Sequence, residues 1–247
     1  MSNPQIELYD LASRLGGATW SPNVWKTRYI LNYKGIPYKH VLLELPEVES
    51  VCKDIGASPT ETKPDGSPFY TVPVIRDLST GRVISDSLAI AKYLDSQYPS
   101  TPRVIPDAPG TLSLLASFSA AVSSKQGNAF PLLLPKIPQV LNPPSADHFT
   151  RVREGQLGVS LADVYPKDPE AQWKKVEADL AGVAGWFKEE KGEFLGGESP
   201  VYVDFELAAF LVIFRVILGE QSEDWKTLAS FQDGKWGKFI ESLKKWE

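Results

Sequence analysis

The sequence predicts an α/β domain with a mixed four-stranded sheet, followed by an all-helical domain. Runs in which apolar and polar residues alternate, as they do in half-buried strands, occur within the first 98 residues. Beyond a proline-rich joint the apolar positions follow helical spacing instead. We therefore expect one domain at residues 1–98, a linker at 99–109 and a second domain at 110–247.

The first domain opens with a strand, a loop, a helix and a second strand. Residues 6–11 alternate apolar and polar side chains, and residues 38–43 form a second such run. Between them a helical pattern begins at Pro22 and ends before Gly35, a residue type that often terminates helices. A βαβ unit of this kind predicts two parallel strands.

The rest of the first domain predicts a hairpin and two more helices. A short helix at 47–55 precedes a long polar segment at 57–68, which we expect to be a functional or disordered loop. Two strands at 71–77 and 82–84, joined by a turn, form the hairpin and make the sheet mixed. A helix at residues 85–98 then ends before Pro99.

The second domain is predicted to contain helices alone. Its longest apolar run, at 204–219, is interrupted by Glu206 and Arg215 and is shorter than the roughly 20 residues that cross a bilayer. This run therefore predicts a core helix and no membrane span. The helices are expected at residues 111–127, 149–158, 169–191, 201–219 and 233–246.

Charge and cysteine content exclude several function classes. The 31 acidic and 26 basic residues are scattered and give a net charge of −5, so nucleic acid is not an expected partner. A single cysteine, Cys52, allows neither an intrachain disulfide nor a cysteine metal site, and we expect no metal. The first ten residues do not resemble a signal peptide. These features favour a cytoplasmic protein.

Ser21-Pro22 has two interpretations. Serine before a proline at the first helical position is a typical N-cap. The positive end of a helix also stabilises anions such as a thiolate, so the Ser21 hydroxyl can instead face a ligand.

Two further pairs of residues have structural and functional interpretations. Val72-Pro73 lies in a β-branched run, where proline indicates either an edge strand or a cis turn that presents the Val72 backbone to an extended peptide. Asp86-Ser87 indicates either a helix cap or a receptor, with Asp86 for a ligand ammonium and Ser87 for a carboxylate.

In this order and on these elements, the motifs resemble those of glutathione transferases, which have a thioredoxin-like first domain and a helical second domain. The stretch "SPNVWKTR" followed by "LNYKGIPY" is similar to the fungal etherase-like (FuA) class, whose relatives include bacterial lignin β-etherases. The resemblance implies that Ser21 is the catalytic hydroxyl, donating a hydrogen bond to the glutathione sulfur. It also implies that Pro73 is the family's cis-proline and that Asp86-Ser87 holds the γ-glutamyl end of glutathione.

The resemblance extends to less distinctive positions. Asn23 is a candidate polar contact, although an exposed helix position explains it equally well. His40 is a candidate for the glycine carboxylate, although a surface histidine at a strand end explains it better. Trp20, Phe118 and Phe130 are candidates for an apolar acceptor site between the domains. Members of the family usually have Ser or Thr three residues before the aspartate of the core helix, here Asp204. Val201 stands there, so this helix is expected to lack that cap.

The resemblance implies a transferase that uses glutathione as co-substrate to attack hydrophobic aromatic electrophiles, in detoxification or aryl-ether cleavage. The alternative is a ligandin, which binds glutathione and aromatic or polyphenolic small molecules with little turnover. A homodimer is also implied, with the first domain of one chain against the helical domain of the other. Neither nucleic acid nor a membrane is an expected partner.

Overall fold

The structure is a computed structural model that describes residues 5–17, 19–187 and 192–247. Within these ranges the first part of the chain forms a four-stranded mixed sheet with helices, and the remainder is helical. The predicted fold class is therefore confirmed.

The sheet has the strand order β2-β1-β5-β6. Its central strand β1 (Ile6–Leu11) pairs in parallel with β2 (Tyr38–Leu43) on one side. On the other side β1 pairs in antiparallel fashion with β5 (Val74–Asp77), which pairs with β6 (Val83–Ser85). The third strand was predicted to start at residue 71, but the ladder starts only at Val74, because Pro73 has no N–H to donate.

Three helices accompany the sheet: α1 (Pro22–Lys34), α2 (Val48–Asp54) and α3 (Ser87–Gln97), with a 3₁₀ turn at Leu45–Glu47 before α2. Both predicted end signals of α1 are present. Ser21 is its N-cap, and Gly35 ends it in the left-handed conformation with a φ of 67°. The local sequence is therefore sufficient to delimit this helix.

The expectation of an unstructured segment at 57–68 is wrong. The segment contains β3 (Glu61–Thr62). This strand pairs in antiparallel fashion with β4 (Pro68–Phe69), which begins at the last residue of the segment. Between them Asp65 accepts a hydrogen bond from the amide two residues later, and Gly66 has a φ of 84°. An Asp-Gly pair of this kind forms a tight turn, which closes a small hairpin.

The remaining elements are helical. Their core is α10 (Tyr202–Leu218), which is almost entirely buried and packs on α1 of the first domain. No helix in the described ranges is both long enough and apolar enough to span a membrane. The other helices are α4 (Thr111–Gln126), α5 (Phe130–Leu133), α6 (Ile137–Val140), α7 (Pro143–Leu157), α8 (Leu161–Val164), α9 (Pro169–Ala184) and α11 (Glu223–Leu243), with 3₁₀ turns at Leu134–Lys136, Gly185–Phe187 and Lys244–Trp246.

Several predicted helix bounds need correction. The helix predicted at 149–158 begins earlier, at Pro143, because proline is tolerated in the first turn. The helix predicted at 233–246 is the second half of α11, whose left-handed residues at 232–234 interrupt it. The helix predicted at 169–191 leaves α geometry at Ala184, and residues 188–191 lie outside the described ranges. The sequence pattern also missed α5, α6 and α8, which are too short for helical periodicity.

A buried ion pair holds the segment between α3 and α4. The ammonium of Lys34, on α1, lies 2.7 Å from the carboxylate of Asp95, on α3, and both side chains are almost fully buried. The same carboxylate accepts hydrogen bonds from the amides of Val104 and Ile105. The connecting segment is thus fixed against α1 and α3.

Candidate functional site

One edge of the sheet collects the ends of three strands. The antiparallel register pairs Tyr9 with Val74, so the C-terminal end of β1 lies beside the start of β5. Val74 also pairs with Ser85, the last residue of β6. The N-termini of α1 and α3 follow these strand ends along the chain. The topology therefore brings the main predicted segments to this edge: Ser21, Val72-Pro73 and Asp86-Ser87.

Ser21 caps α1 and keeps its hydroxyl proton available. Its Oγ accepts a hydrogen bond of 3.4 Å from the amide of Val24, and its carbonyl accepts one of 3.0 Å from Trp25. The side chain is 7% exposed, and its hydroxyl donates to no residue in the described part of the chain. Capping uses an oxygen lone pair, whereas a ligand would use the proton. The two interpretations of Ser21 are therefore compatible.

The loop before Ser21 is anchored by Thr19. The Thr19 hydroxyl donates to the carboxylate of Asp10, and its carbonyl accepts from the indole of Trp25. Burial raises the pKa of Asp10, against the lowering effects of the Thr19 and Leu11 hydrogen bonds and of the Arg28 charge. Strand β1 and helix α1 thus both fix the backbone that leads into Ser21.

The Val72-Pro73 peptide bond is cis, and both side chains are buried. Of the two interpretations of this pair, the structure shows the cis turn. The pair lies immediately before β5, where the ladder has not yet started. The Val72 backbone therefore lies at the sheet edge, in position to pair with an extended peptide.

Asp86 combines a cap with an unpaired oxygen. Its Oδ1 accepts from the amides of Leu88 at 3.0 Å and Ala89 at 2.9 Å, while Oδ2 has no hydrogen bond within the described ranges. Asp86 is exposed and has a φ of 78°, which is uncommon for residues other than glycine. Backbone outliers of this kind cluster at functional sites. Capping again leaves a group free for a ligand, here a carboxylate oxygen.

The sequence did not predict the partner of Ser87. Its Oγ lies 3.2 Å from the hydroxyl of Tyr202, the first residue of α10, and both side chains are buried. Burial raises the pKa of Tyr202; the Ser87 hydrogen bond lowers it, and the charges of Glu206 and Asp86 raise it further. Since 115 positions separate the two hydroxyls, no local pattern indicates this contact.

Comparisons with known proteins assign the chain to a family. The model of the glutathione S-transferase C-terminal domain matches residues 113–246, and the N-terminal domain model matches residues 20–97. The chain belongs to the glutathione S-transferase family. It is 31% identical over 221 residues to the glutathione S-transferase-like protein ustS of Aspergillus flavus, which covers 83% of this chain and 79% of that protein.

Solved fungal transferases resemble the whole chain. CsGST63524 of Ceriporiopsis subvermispora, crystallised with glutathione, is 42% identical with a TM-score of 0.92, covering 98% of this chain and 97% of that one. GSTFuA3 of Phanerochaete chrysosporium is 38% identical with a TM-score of 0.93, covering 100% and 98%. This transferase is thus similar to fungal FuA proteins over its full length.

Two predicted glutathione contacts of this transferase do not join the other site residues: His40 lies away from them, and Asn23 is exposed. His40 pairs with Leu8 in the middle of β2. With a rise of about 3.3 Å per residue, it lies about 10 Å before the C-terminal end of that strand. Burial and the charge of Arg28 lower the pKa of His40, and its Nε2 is buried with no hydrogen-bond partner among the described residues. Asn23 is exposed on the first turn of α1. The structure does not bring His40 to the end of the sheet at which Ser21, Val72-Pro73 and Asp86-Ser87 lie.

The three predicted acceptor residues occupy separate aromatic contacts in the transferase. Trp20 packs edge-on against Phe149 with ring centroids 6.1 Å apart, and its Nε1 is buried without a hydrogen-bond partner in the described chain. Phe118 packs against Trp186 at 5.2 Å, and Phe130 against Phe210 at 6.4 Å. Of the three, Trp20 lies nearest in sequence to Ser21.

Two cavities of about 350 and 280 Å³ have mostly polar and charged linings, and neither includes Trp20, Phe118 or Phe130. No cluster of three or more metal-ligand side chains occurs in the described residues. Cys52 is buried, and burial raises the pKa of its thiol, which disfavours a nucleophilic role.

Proposed function

We propose that this transferase binds glutathione along the sheet edge and activates its thiol with Ser21. The observation that carries the proposal is the Ser21 hydroxyl, which is nearly buried at the N-terminus of α1 and has an unused proton. A hydroxyl donor and the positive helix end both favour a thiolate over a thiol. Each unit by which they lower the thiol pKa corresponds to about 1.4 kcal/mol of preference for the ionised form.

The peptide backbone and the γ-glutamyl end of glutathione have separate contacts in the proposal. The Val72 backbone, presented before Pro73, pairs with the extended cysteinyl residue. The free Oδ2 of Asp86 accepts from the ligand ammonium, and the Ser87 hydroxyl donates to its carboxylate. Asn23 adds a polar contact from the first turn of α1. The glycine carboxylate contact of His40 stays a prediction, which its position in mid-strand disfavours.

The proposed reaction is nucleophilic substitution by the glutathione thiolate. The thiol proton passes to solvent, the sulfur forms a bond to an electrophilic carbon, and the leaving group departs with the electron pair of the broken bond. In an aryl ether the leaving group is a phenolate, which takes up a proton from water. This step needs neither a metal nor an oxidant.

Hydrophobic aromatic compounds are the proposed acceptors. Trp20 precedes Ser21 directly, and its buried indole Nε1 is available to donate to an ether or carbonyl oxygen. Phe118 and Phe130 would add apolar surface from the helical domain. The etherase-like resemblance of the stretch from Ser21 to Tyr38 implies this choice, and aryl-ether cleavage is the specific activity that we propose to test first among the substitutions.

The decisive experiment measures glutathione binding by calorimetry, and substitution rates on an aryl halide and an aryl ether, for wild type and Ser21→Ala. We expect unchanged or slightly weaker binding and a rate at least 10-fold lower, equivalent to about 1.4 kcal/mol of transition-state stabilisation. Ser222→Ala is the matched control, because Ser222 caps α11 with a similar hydrogen bond to the amide of Trp225. It should lose comparable stability, about 1 kcal/mol, and retain full activity.

The remaining outcomes separate the alternatives. Equal rates for wild type and Ser21→Ala would make Ser21 a helix cap only. Glutathione binding with almost no turnover of either substrate in both proteins would identify a ligandin. Absence of glutathione binding by the wild type would overturn the proposal as a whole.

A homodimer completes the proposal. Leu112 and Leu114 project from the start of α4 with 49% and 71% of their surface exposed, and Phe69 of the first domain is also exposed. A two-fold dimer would set the first domain of one chain against α4 of the other. It would cover the α4 leucines and Phe69 in each of the two chains. The domain bounds 1–98, 99–109 and 110–247 and the cytoplasmic location stay predictions.

A further inference from the structure

The hydrogen bond between Ser87 and Tyr202 joins the proposed γ-glutamyl contact to the helical domain. Tyr202 is 2% exposed, and its amide donates a 2.7 Å hydrogen bond to the carbonyl of Val104. Its hydroxyl therefore sits on a backbone that is fixed at the start of α10. Ser87 has no other side-chain hydrogen bond within the described ranges.

The Tyr202 hydroxyl keeps its proton and can therefore act as the donor to Ser87. Burial, and after it the carboxylates of Glu206 and Asp86, disfavour a tyrosinate, so the phenol keeps its proton. Glu206 is itself held in place by Lys26 at 2.8 Å and by the Ser119 hydroxyl at 2.6 Å. A neutral phenol beside a serine can donate to the serine oxygen, which then directs the serine proton away from the phenol.

The geometry points to Tyr202 as a positioning residue for glutathione recognition. By donating to Ser87 Oγ, it keeps the Ser87 proton off the phenol and free to point toward the γ-glutamyl carboxylate. A serine without this partner would distribute its proton over several rotamers, and the ligand would have to order it on binding. This inference rests on the proposed function, in which Ser87 contacts that carboxylate. It adds a residue of the helical domain that does not touch the ligand.

The test measures the dissociation constant of glutathione by calorimetry for wild type, Tyr202→Phe, Ser87→Ala and the double variant. Tyr202→Phe should raise the constant about 5- to 10-fold, and Ser87→Ala should raise it at least as much. The double variant should match Ser87→Ala, because Tyr202 acts through Ser87. At saturating glutathione the turnover number of Tyr202→Phe should stay within about 2-fold of wild type, so that the effect appears in KM.

A ligand analogue distinguishes positioning from structural damage. A glutathione analogue that lacks the γ-glutamyl α-carboxylate should bind wild type and Tyr202→Phe with equal affinity. Tyr93→Phe is the matched control, since the buried Tyr93 hydroxyl donates at 2.8 Å to Asp77, at the opposite end of β5. It should lower the melting temperature and leave both dissociation constants unchanged.

Each contrary result has a different meaning. Wild-type affinity in Tyr202→Phe combined with weak binding in Ser87→Ala would overturn this inference and leave the proposed function intact. Equal weakening of glutathione and the analogue in Tyr202→Phe would also overturn it, because the loss would then be structural. Wild-type affinity in Ser87→Ala would contradict the proposed placement of the γ-glutamyl carboxylate itself.

Discussion

The Thr19 hydroxyl donates a 2.6 Å hydrogen bond to the carboxylate of Asp10, and each of these residues is 1% exposed. The Thr19 carbonyl also accepts from the Trp25 indole at 2.6 Å. Thr19 stands two positions before Ser21, so these bonds fix the direction from which the chain enters α1. The position of the Ser21 hydroxyl thus depends on the hydrogen bond between Thr19 and Asp10.

Thr19→Val should therefore affect both stability and catalysis. The substitution preserves the shape of the side chain but leaves Asp10 with the Leu11 amide as its one donor among the described residues, at a cost of about 1–3 kcal/mol in the free energy of unfolding. We expect a several-fold lower substitution rate and a higher pKa of the thiol of bound glutathione, because the Ser21 hydroxyl is less well placed to stabilise the thiolate. Urea unfolding and the pH dependence of turnover measure the two effects.

The matched control for this prediction is Thr101→Val, which removes a 2.7 Å hydrogen bond from the Thr101 hydroxyl to the Tyr98 carbonyl far along the chain from Ser21. This variant should retain the wild-type pH profile. If Thr19→Val unfolds more easily but turns over substrate with the wild-type rate and profile, Thr19 has no influence on Ser21.

Asp86→Asn separates the two functions of Asp86. Asparagine caps helices about as well as aspartate, so its side-chain oxygen can still accept from the amides of Leu88 and Ala89. The stability should change by less than about 1 kcal/mol. The negative charge is lost, however, and glutathione affinity should fall roughly 10-fold, as expected for a charge-assisted contact to the ligand ammonium.

Two measurements check this interpretation of Asp86. A glutathione analogue without the γ-glutamyl amino group should bind wild type and Asp86→Asn equally in calorimetric titrations. Asp168→Asn is the matched control, because Asp168 caps α9 through the amide of Ala171. Wild-type glutathione affinity in Asp86→Asn would mean that Asp86 serves only as a cap.

The sequence was informative where a signal is local. Ser21 and Gly35 delimit α1 within a few residues of chain, and strand alternation identified β1 and β2 with the observed bounds. The sheet edge then followed from topology, since parallel and antiparallel pairing fix which strand ends meet. Val72-Pro73 and Asp86-Ser87 were themselves found from local signals, a proline in a β-branched run and a helix cap, and from the family resemblance.

The contacts that complete the site are distant in sequence, and they were not predictable. Ser87 meets Tyr202, and Trp20 meets Phe149, through the docking of the two domains. The spacing of apolar residues along the chain does not indicate such long-range pairs. The first half of α11, residues 223–230, was also missed, whereas the predicted start at residue 233 falls within the break, whose left-handed residues include Gln232 and Asp233. The Asp-Gly turn in the 57–68 segment, by contrast, is a local signal and could have predicted its hairpin.

Asp204 provides the anchor that Val201 lacks at the start of α10. Its carboxylate accepts from the amides of Leu195, Gly196 and Val201, so the helix start is bonded without a Ser or Thr cap. Burial raises the pKa of Asp204 from 3.8 to about 6, although these three donors lower it. Relative to the unfolded chain, folding therefore favours the protonated form of Asp204.

The pH dependence of stability should show this titration. A carboxyl with a raised pKa contributes stability that is complete below about pH 4 and is lost as the pH rises through 6. The difference in unfolding free energy between wild type and Asp204→Asn should therefore fall by about 3 kcal/mol from pH 4 to pH 7. Urea unfolding across this range measures it.

Asp77→Asn is the control with the opposite sign. Burial raises the pKa of Asp77, but hydrogen bonds from Ser79, Tyr93 and Tyr98 outweigh that effect and lower it overall. Its contribution to stability is present above its unfolded pKa and lost as the pH falls through the folded value. The wild-type advantage over Asp77→Asn should grow with rising pH near the acid end. The same slope for both variants would rule out these assignments.

The proposed homodimer makes the exposed start of α4 a sensitive position. Leu114→Glu places a charge on a side chain that is 71% exposed in one chain but covered in the proposed dimer. Sedimentation velocity should give twice the 27.3 kDa chain mass for wild type and the single-chain mass for the variant. Leu157→Glu, at an exposed leucine on α7, is the matched control and should remain dimeric. A dimer that survives Leu114→Glu, with unchanged affinity, would place the interface elsewhere.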